Sequence, residues 1–357
     1  MDAAVNPAMR AAMQPELRLL NDWQHGFPLC RDPFGELGTQ TGLSRDQVLI
    51  TLRLAQDDGR LSRIGGVFAH GSGGDAVLAA MAVPAHRIDD VAATVSAHPG
   101  VNHNYLREHH HNLWFVMTGA DRSAVDAGVD ALEHATGLPA LRLRMLRPYR
   151  IDLGFDLGGD TARRPMRAAP ATTTPAPLPT DLWPLARRVE AGLPLVERPY
   201  AQWADELGQS EDWVTERIGS WLLQGRLKRF GVVVRHHELG FAANAMTVFD
   251  VPNDQVDACG RALAEQAGVT LAYRRARAQG WPYNLYAMVH GTHRDAVMAV
   301  IERVTRDAGL ARHPRAVLFS TRRFKQTGAR RFRGWASAPA CPPMVIPVPE
   351  VPHAHAR

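Results

Sequence analysis

The sequence predicts an α+β chain in which one plan, a winged helix-turn-helix followed by a βαββαβ unit, occurs twice. Three observations predict it. Motifs recur at a spacing of 166 to 172 residues: RLSRIG (Arg60 to Gly65) returns as RLKRFG (Arg226 to Gly231), and Gly100, Tyr105 and Arg107 return as Gly268, Tyr273 and Arg275. Asn112, Trp114 and Gly119 likewise return as Asn284, Tyr286 and Gly291. Helical and alternating apolar patterns follow one another in the same order in both halves. Between them, Gly158 to Thr180 holds Ala, Thr and Pro with almost no apolar mass, so it cannot form a core and reads as a linker.

Each element has a local reason. From Leu29 to Gly59 the pattern is two short helices and a turn; Ser44 and Gln47 form a capping box, and Val48, Leu49, Leu52 and Leu54 lead to a stop at Gly59. Leu61 to Phe68 reads as a β-wing. Ala76 to Ala85 is a strand, Ile88 to His98 a helix, Gly100 to Gly119 a hairpin, Arg122 to Thr136 a helix and Ala140 to Arg150 a strand, which is the ferredoxin-like order. The second copy runs through a helix-turn-helix at Pro199 to Gly225, with Ser210 as N-cap and Gly225 at C′, and a wing at Leu227 to Val234. Its βαββαβ unit spans Ala243 to Arg323. The expected boundaries are 17–68 and 69–157, a linker at 158–180, then 181–236 and 237–327, and a Pro-rich, disordered tail at 328–357. The two four-stranded sheets are expected to pair face to face about a pseudo-twofold axis, as two protomers would.

Composition excludes several classes. The chain has 357 residues, 45% of them hydrophobic, and a formal net charge of +5, which fits an acidic ligand as well as nucleic acid. Cys30, Cys259 and Cys341 form no CxxC pair, so neither a disulfide framework nor a metal site is expected. No run of 18 apolar residues and no signal-peptide core occurs, so a soluble cytoplasmic protein is expected, without membrane contact.

The chemical signal is concentrated in the hairpins. In the first, alternation places Val101, His103, Tyr105 and Arg107 on one face, and Asn112, Trp114 and Val116 on the face opposite Leu113, Phe115 and Met117. His109, His110 and His111 sit at the bend. The second, GVTLAYRRARAQGWPYNLYAMVHG, concentrates Arg274, Arg275 and Arg277 beside Tyr273, Tyr283, Asn284 and Tyr286. Several guanidinium groups suit a ligand with several carboxylates, and an aromatic floor with amide neighbours suits a flat macrocycle. The second recognition helix opens Glu211, Asp212, Trp213, whose carboxylates would face phosphates, so specific DNA binding is not expected.

A helix-turn-helix followed by a ferredoxin-like unit resembles the Lrp/AsnC regulators. HNYLREHHHNLWF, AYRRARAQGWPYNLYAMVHG and RFGVVVRHHELGFAANAM (Arg229 to Met246) resemble the siroheme decarboxylases, an enzymatic offshoot of that group, and the tandem arrangement is similar to the fused subunit of haem d1 biosynthesis. The resemblance covers about residues 20 to 327. FAHGSGGD (Phe68 to Asp75) lacks the RHHELGF pattern of the second half, which marks a difference between the halves. The resemblance implies a carboxy-lyase that removes CO2 from two acetate side chains of siroheme, giving 12,18-didecarboxysiroheme. It implies no cofactor, since the iron belongs to the substrate, and it suggests related decarboxylase subunits as partners. The residues that would act are His103, His109 or His236 as proton donor, with Tyr105 and Tyr273 assisting. Arg107, Arg235, Arg274, Arg275, His111, Asn112, Trp114, Tyr283, Asn284 and Tyr286 would bind the substrate. The residues alone leave two other readings open: an Lrp-type transcriptional regulator, and a tetrapyrrole carrier without catalysis.

Overall fold

A computed structural model describes residues 14–151, 175–235 and 243–335. The first module comprises α1 (Pro15–Asn21), α2 (Pro33–Thr41), α3 (Arg45–Asp57) and β1 (Leu61–Phe68). The first βαββαβ unit follows as β2 (Asp75–Met81), α4 (Ile88–Ala97), β3 (Val101–Arg107), β4 (Leu113–Gly119), α5 (Arg122–Thr136) and β5 (Ala140–Ile151). The second module is α6 (Trp183–Ala191), α7 (Pro199–Leu207), α8 (Glu211–Leu223) and β6 (Leu227–Val234). The second unit is β7 (Ala243–Phe249), α9 (Val256–Ala264), β8 (Val269–Arg275), β9 (Leu285–Gly291), α10 (Arg294–Asp307) and β10 (Arg315–Gln326). The recognition helices start where their caps require. Ser44 Oγ accepts from Gln47 N while Gln47 Oε1 accepts from Ser44 N, and Ser210 Oγ accepts from Trp213 N. Gly42 and Gly208 make the two helix-helix turns at φ +77 and +64, a conformation costly for other residues.

The expected wings are strands, but neither folds back on itself. β1 and β6 pair with each other, antiparallel, with Gly65 opposite Gly231. The ribbon lies so close to the helices that a Cβ at Gly231 would collide with the Trp23 and Gln24 carbonyls, and one at Gly65 with the Val189 carbonyl. Both modules therefore share one core, in which Phe34, Leu52, Tyr200, Trp203, Trp221 and Phe230 are buried.

The two sheets are also not separate layers. β5 and β10 are 12 residues each, about 40 Å at roughly 3.3 Å per residue. That is long enough to leave one sheet and join the other. β5 pairs with β2 from Ala140 to Arg144, then with β8 from Met145 to Ile151. β10 pairs with β7 from Arg315 to Phe319, then with β3 from Ser320 to Gln326. The expectation of two sheets stacked face to face gives way to a closed eight-stranded barrel, in the order β10-β3-β4-β2-β5-β8-β9-β7. Closure removes the sheet edges that each unit would otherwise expose. Helices cover the outside, and Leu78, Trp114, Leu143, Tyr273, Tyr286, Met288 and Leu318 fill the interior.

The start of the expected disordered tail is also packed. Phe332 is buried in the helical core, and Trp335 Nε1 donates to Thr118 O at 2.9 Å. Arg331 N donates to Glu190 Oε1 at 2.8 Å, so Gly328 to Trp335 straps the barrel to α6. The apolar Phe332 and Trp335 supply the burial that a Pro-rich reading overlooks. At the end of the expected linker, Leu178 is buried and its N–H donates to Ser72 O. Residues 158–174 and 336–357 lie outside the described residues. Among the described residues, no helix is long and apolar enough to cross a membrane.

Candidate active site

β3 carries a bulge between Val101 and His103. The bulge sends Val101 outward, into the core beneath α4 and α5 with Leu113, Phe115 and Met117, so it does not share the face of His103 as alternation alone predicts. From His103 onward the alternation holds. Asn104 points to α4, donating to Ala92 O and Ser96 Oγ, while His103, Tyr105 and Arg107 take the interior face. The His103 and Tyr105 rings stack with centroids 6.2 Å apart. On the second hairpin the same bulge precedes Leu271, and Tyr273 and Arg275 face inward.

Among the described residues, the two interior arginines are buried without a carboxylate. Arg107 donates to Leu318 O at 3.0 Å, and its guanidinium lies 5.6 Å from the Tyr105 ring centre. Arg275 donates to Leu143 O at 2.7 Å and lies 4.5 Å from the Tyr273 ring and 5.8 Å from that of Tyr286. The Arg275 Nε has no hydrogen-bond partner among the described residues. A buried cation without a counter-ion costs several kcal/mol, so this interior is poised for an anion. Burial pushes Arg107 down to about 10, partly offset by Tyr105 and Tyr273, which leaves it charged at neutral pH.

His103 is neutral at that pH: burial, then the charge of Arg63 on β1, pushes it down to about 4. Among the described residues, its buried Nδ1 has no hydrogen-bond partner, and neither does Arg63 Nε. Burial raises the Tyr105 phenol, opposed by Arg107 and Arg323, so the hydroxyl keeps its proton. Arg323 stands opposite Tyr105 on β10, and Gln326 stands opposite His103.

The other expected site residues divide. β3 ends at Arg107, and the four residues from His103 to that point already span about 13 Å at roughly 3.3 Å per residue before the bend that carries His109 begins, so both cannot serve one carbon. His109 and His111 meet Trp281 at the hairpin tip, with ring centres 5.2 and 5.9 Å away. Trp281 also contacts Trp114 and Tyr283 and donates to the Tyr286 hydroxyl at 2.6 Å. Burial lowers both histidines, followed by their neighbours' charge.

Four residues expected to bind substrate are occupied with structure. Asn112 and Asn284 each clamp one backbone unit, accepting from and donating to Val83 and Val251 respectively. Arg274 points outward to Asp257 at 3.6 Å, because it is one residue out of phase with Arg275. Arg235 donates to Gly59 O at the end of the ribbon, away from the hairpins. His236 lies outside the described residues. The sequence reading did not single out Arg63, Arg323 or Trp281. Arg63 lies inside the repeated RLSRIG motif and Trp281 inside the second hairpin, whereas only strand pairing brings Arg323 to Tyr105.

A surface depression of about 570 Å³ between α1 and α3 is lined by Glu16, Thr51, Leu54, Asp57, Asp58 and Arg60. Arg60 is already paired there with Glu16 and Asp58, so the depression has the wrong sign for a polycarboxylate. Among the described residues, no cluster of His, Cys, Asp and Glu is arranged to hold a metal ion.

Comparison with known proteins agrees with this layout. Residues 72–150 and 238–325 match the AsnC-like ligand binding domain, and residues 16–61 and 185–227 match the siroheme decarboxylase NirDL-like HTH domain. The siroheme decarboxylase NirDL subunit of Paracoccus denitrificans is 40% identical over 88% of this chain and 96% of its own. The chain belongs to the siroheme decarboxylase family. The siroheme decarboxylase of Hydrogenobacter thermophilus is 31% identical over 88% of this chain and 94% of its own. A crystal structure of a siroheme decarboxylase NirDL in complex with an iron-uroporphyrin III analogue matches with a TM-score of 0.62 at 28% identity, covering 89% of this chain and 93% of that one. In Stutzerimonas stutzeri, separate NirD and NirL subunits are 52% and 49% identical to 40% and 41% of this chain.

Proposed function

We propose that this chain is a siroheme decarboxylase, converting two acetate side chains of siroheme to methyl groups and giving 12,18-didecarboxysiroheme for haem d1 biosynthesis. The observation that carries this reading is a barrel interior with buried arginines and, among the described residues, no carboxylate to meet them, beside a neutral histidine and a protonated tyrosine on the same strand. The interior is filled by side chains, as an eight-stranded barrel tends to be. The macrocycle is therefore assigned to the partly open end of the first hairpin, where His103, Arg323, Gln326 and Arg63 are only half-buried, with carboxylates reaching inward toward Tyr105 and Arg107.

In each step the bond between the acetate methylene and its carboxylate breaks and CO2 leaves. The electron pair delocalises into the macrocycle, and one proton is delivered to the methylene carbon, so R–CH2–CO2⁻ and H⁺ give R–CH3 and CO2. Arginines hold the carboxylates that remain. The reacting carboxylate sits where water is scarce and its charge poorly solvated. Tyr105 holds a proton it can donate. His103, held neutral chiefly by burial and then by Arg63, gains one when a substrate carboxylate beside it stabilises the imidazolium, and the stacked pair provides the acid that completes the methyl group.

The iron belongs to the substrate, and no further cofactor is proposed. Both halves of a two-subunit plan are present in one polypeptide and pair internally; further subunits of the same family are the partner class proposed. Anaerobic incubation of the purified protein with siroheme, followed by mass analysis, tests the reading. Loss of two CO2 is expected, and bound but unaltered siroheme would leave a carrier instead.

A further inference from the structure

The two hairpins share one register, bulges included, so their interior positions can be compared pair by pair. On the first, β3 meets β10 as His103 with Gln326, Tyr105 with Arg323 and Arg107 with Ser320. On the second, β8 meets β5 as Leu271 with Ile151, Tyr273 with Pro148 and Arg275 with Met145. Residues directly opposite in an antiparallel pair share a face. The Tyr and Arg are kept on both hairpins, but every other polar partner of the first is apolar on the second: His becomes Leu, Gln becomes Ile, Arg becomes Pro and Ser becomes Met.

The ribbon repeats the difference. Arg229, the counterpart of Arg63, is buried and donates to Gln24 O and Val232 O. Arg63 is only half-buried, its Nε has no hydrogen-bond partner among the described residues, and its charge reaches His103. On the first hairpin, Arg323 Nη1 donates to Gln326 Oε1 at 3.1 Å, which aligns both side chains beside His103 and Tyr105.

We infer that the chain holds one equipped tetrapyrrole site, built on the first hairpin with Arg323 and Gln326 as carboxylate-binding residues, and that the matching position on the second hairpin is closed to a polyanion. This rests on the decarboxylase reading above. Both CO2 losses from one macrocycle then take place at the first hairpin. The second keeps Tyr273 and Arg275 to fill and polarise the barrel rather than to seat a second substrate.

Anaerobic titration of the purified full chain with siroheme, followed by absorbance, tests this. One equivalent per chain is expected. Two equivalents, with conversion intact, would overturn the single site while leaving the decarboxylase reading standing; no binding would overturn both. Arg323→Gln should weaken binding about ten- to a hundredfold, the loss of one charge-assisted contact. Pro148→Gln, at the matching position, should leave affinity and turnover within about twofold. Equal losses in both variants would contradict the inference. Thermal melts confirm that each variant is folded, and if Arg323→Gln is not, the wild-type stoichiometry decides.

Discussion

The outside and the inside of the barrel treat arginine in opposite ways. On the outer face of β5, Arg142 pairs with Asp130 and Glu133, and Arg144 with Asp75 and Asp126. Arg147 and Arg274 share Asp257. One residue along from Arg274, Arg275 turns inward and finds a carbonyl and two aromatic rings. Arg107 turns inward from the other hairpin to a carbonyl and the Tyr105 ring. The helix-turn-helix layer follows the outer pattern, with Arg45 held by Glu197 and Asp32, and Glu211 held by Arg198. Among the described residues, these outer arginines are met by carboxylates, whereas the two that face the barrel interior are not. A surface ion pair contributes little and asks for no ligand; a buried cation left without an anion is a cost that only a ligand offsets.

The largest effect should come from His103, where the interior holds its chemistry. His103→Ala should lower conversion of siroheme by about 10²–10⁴-fold, the usual contribution of a positioned acid, while binding persists. His109→Ala, at the hairpin tip, should lose less than about tenfold. Conversion by mass and binding by absorbance measure both, and parent-rate turnover in His103→Ala would transfer the proton to Tyr105.

The next effect separates inside from outside directly. Arg107→Ala should weaken siroheme binding by roughly 1.5–3 kcal/mol, or about ten- to a hundredfold. Arg274→Ala removes a neighbour of the same charge and should change affinity less than about threefold. Equal losses would mean that overall charge, rather than the interior, recruits the ligand.

Stability should run the other way. Arg107→Met removes a buried charge without exposing a partner carboxylate, so the ligand-free protein should melt at the same temperature or higher. Asp257→Asn on the outer face should cost about 1 kcal/mol. Scanning calorimetry without ligand compares the two.

The smallest effect concerns pH. His103 titrates near 6.5 when unfolded and near 4 when folded, and burial also lowers His70, His98, His109 and His111. Between those values the unfolded chain binds the extra protons. Stability is therefore complete above about pH 6.5 and declines as pH falls toward 4. A His103→Gln variant should show a shallower decline in denaturant midpoint over that range.

Much of the fold was legible because it is written in local signals. The capping box at Ser44 and Gln47, the cap at Ser210 and the repeat of Tyr105 and Arg107 at Tyr273 and Arg275 all act within a few residues or recur in register. What escaped depends on pairing between distant strands. No local pattern says that β1 seeks β6 rather than a wing, or that β5 and β10 outrun their own sheets and close a barrel. The site shows the same division. Alternation correctly turned His103, Tyr105 and Arg107 to one face, but the bulge displaced Val101, and Arg323 joins only through β10. Asn112 and Asn284 were read as ligand groups because an amide looks alike in sequence whether it holds a ligand or clamps Val83 and Val251.

The central claim is that the first hairpin's interior face receives the macrocycle's carboxylates. A crystal structure of the chain with siroheme tests it most directly. The account predicts one macrocycle against His103, Tyr105, Arg323 and Gln326, with carboxylates on Arg63 and directed toward Arg107. A macrocycle seated on the His109–Trp281 tip, on the second hairpin at Leu271, or against the helix-turn-helix layer would contradict it.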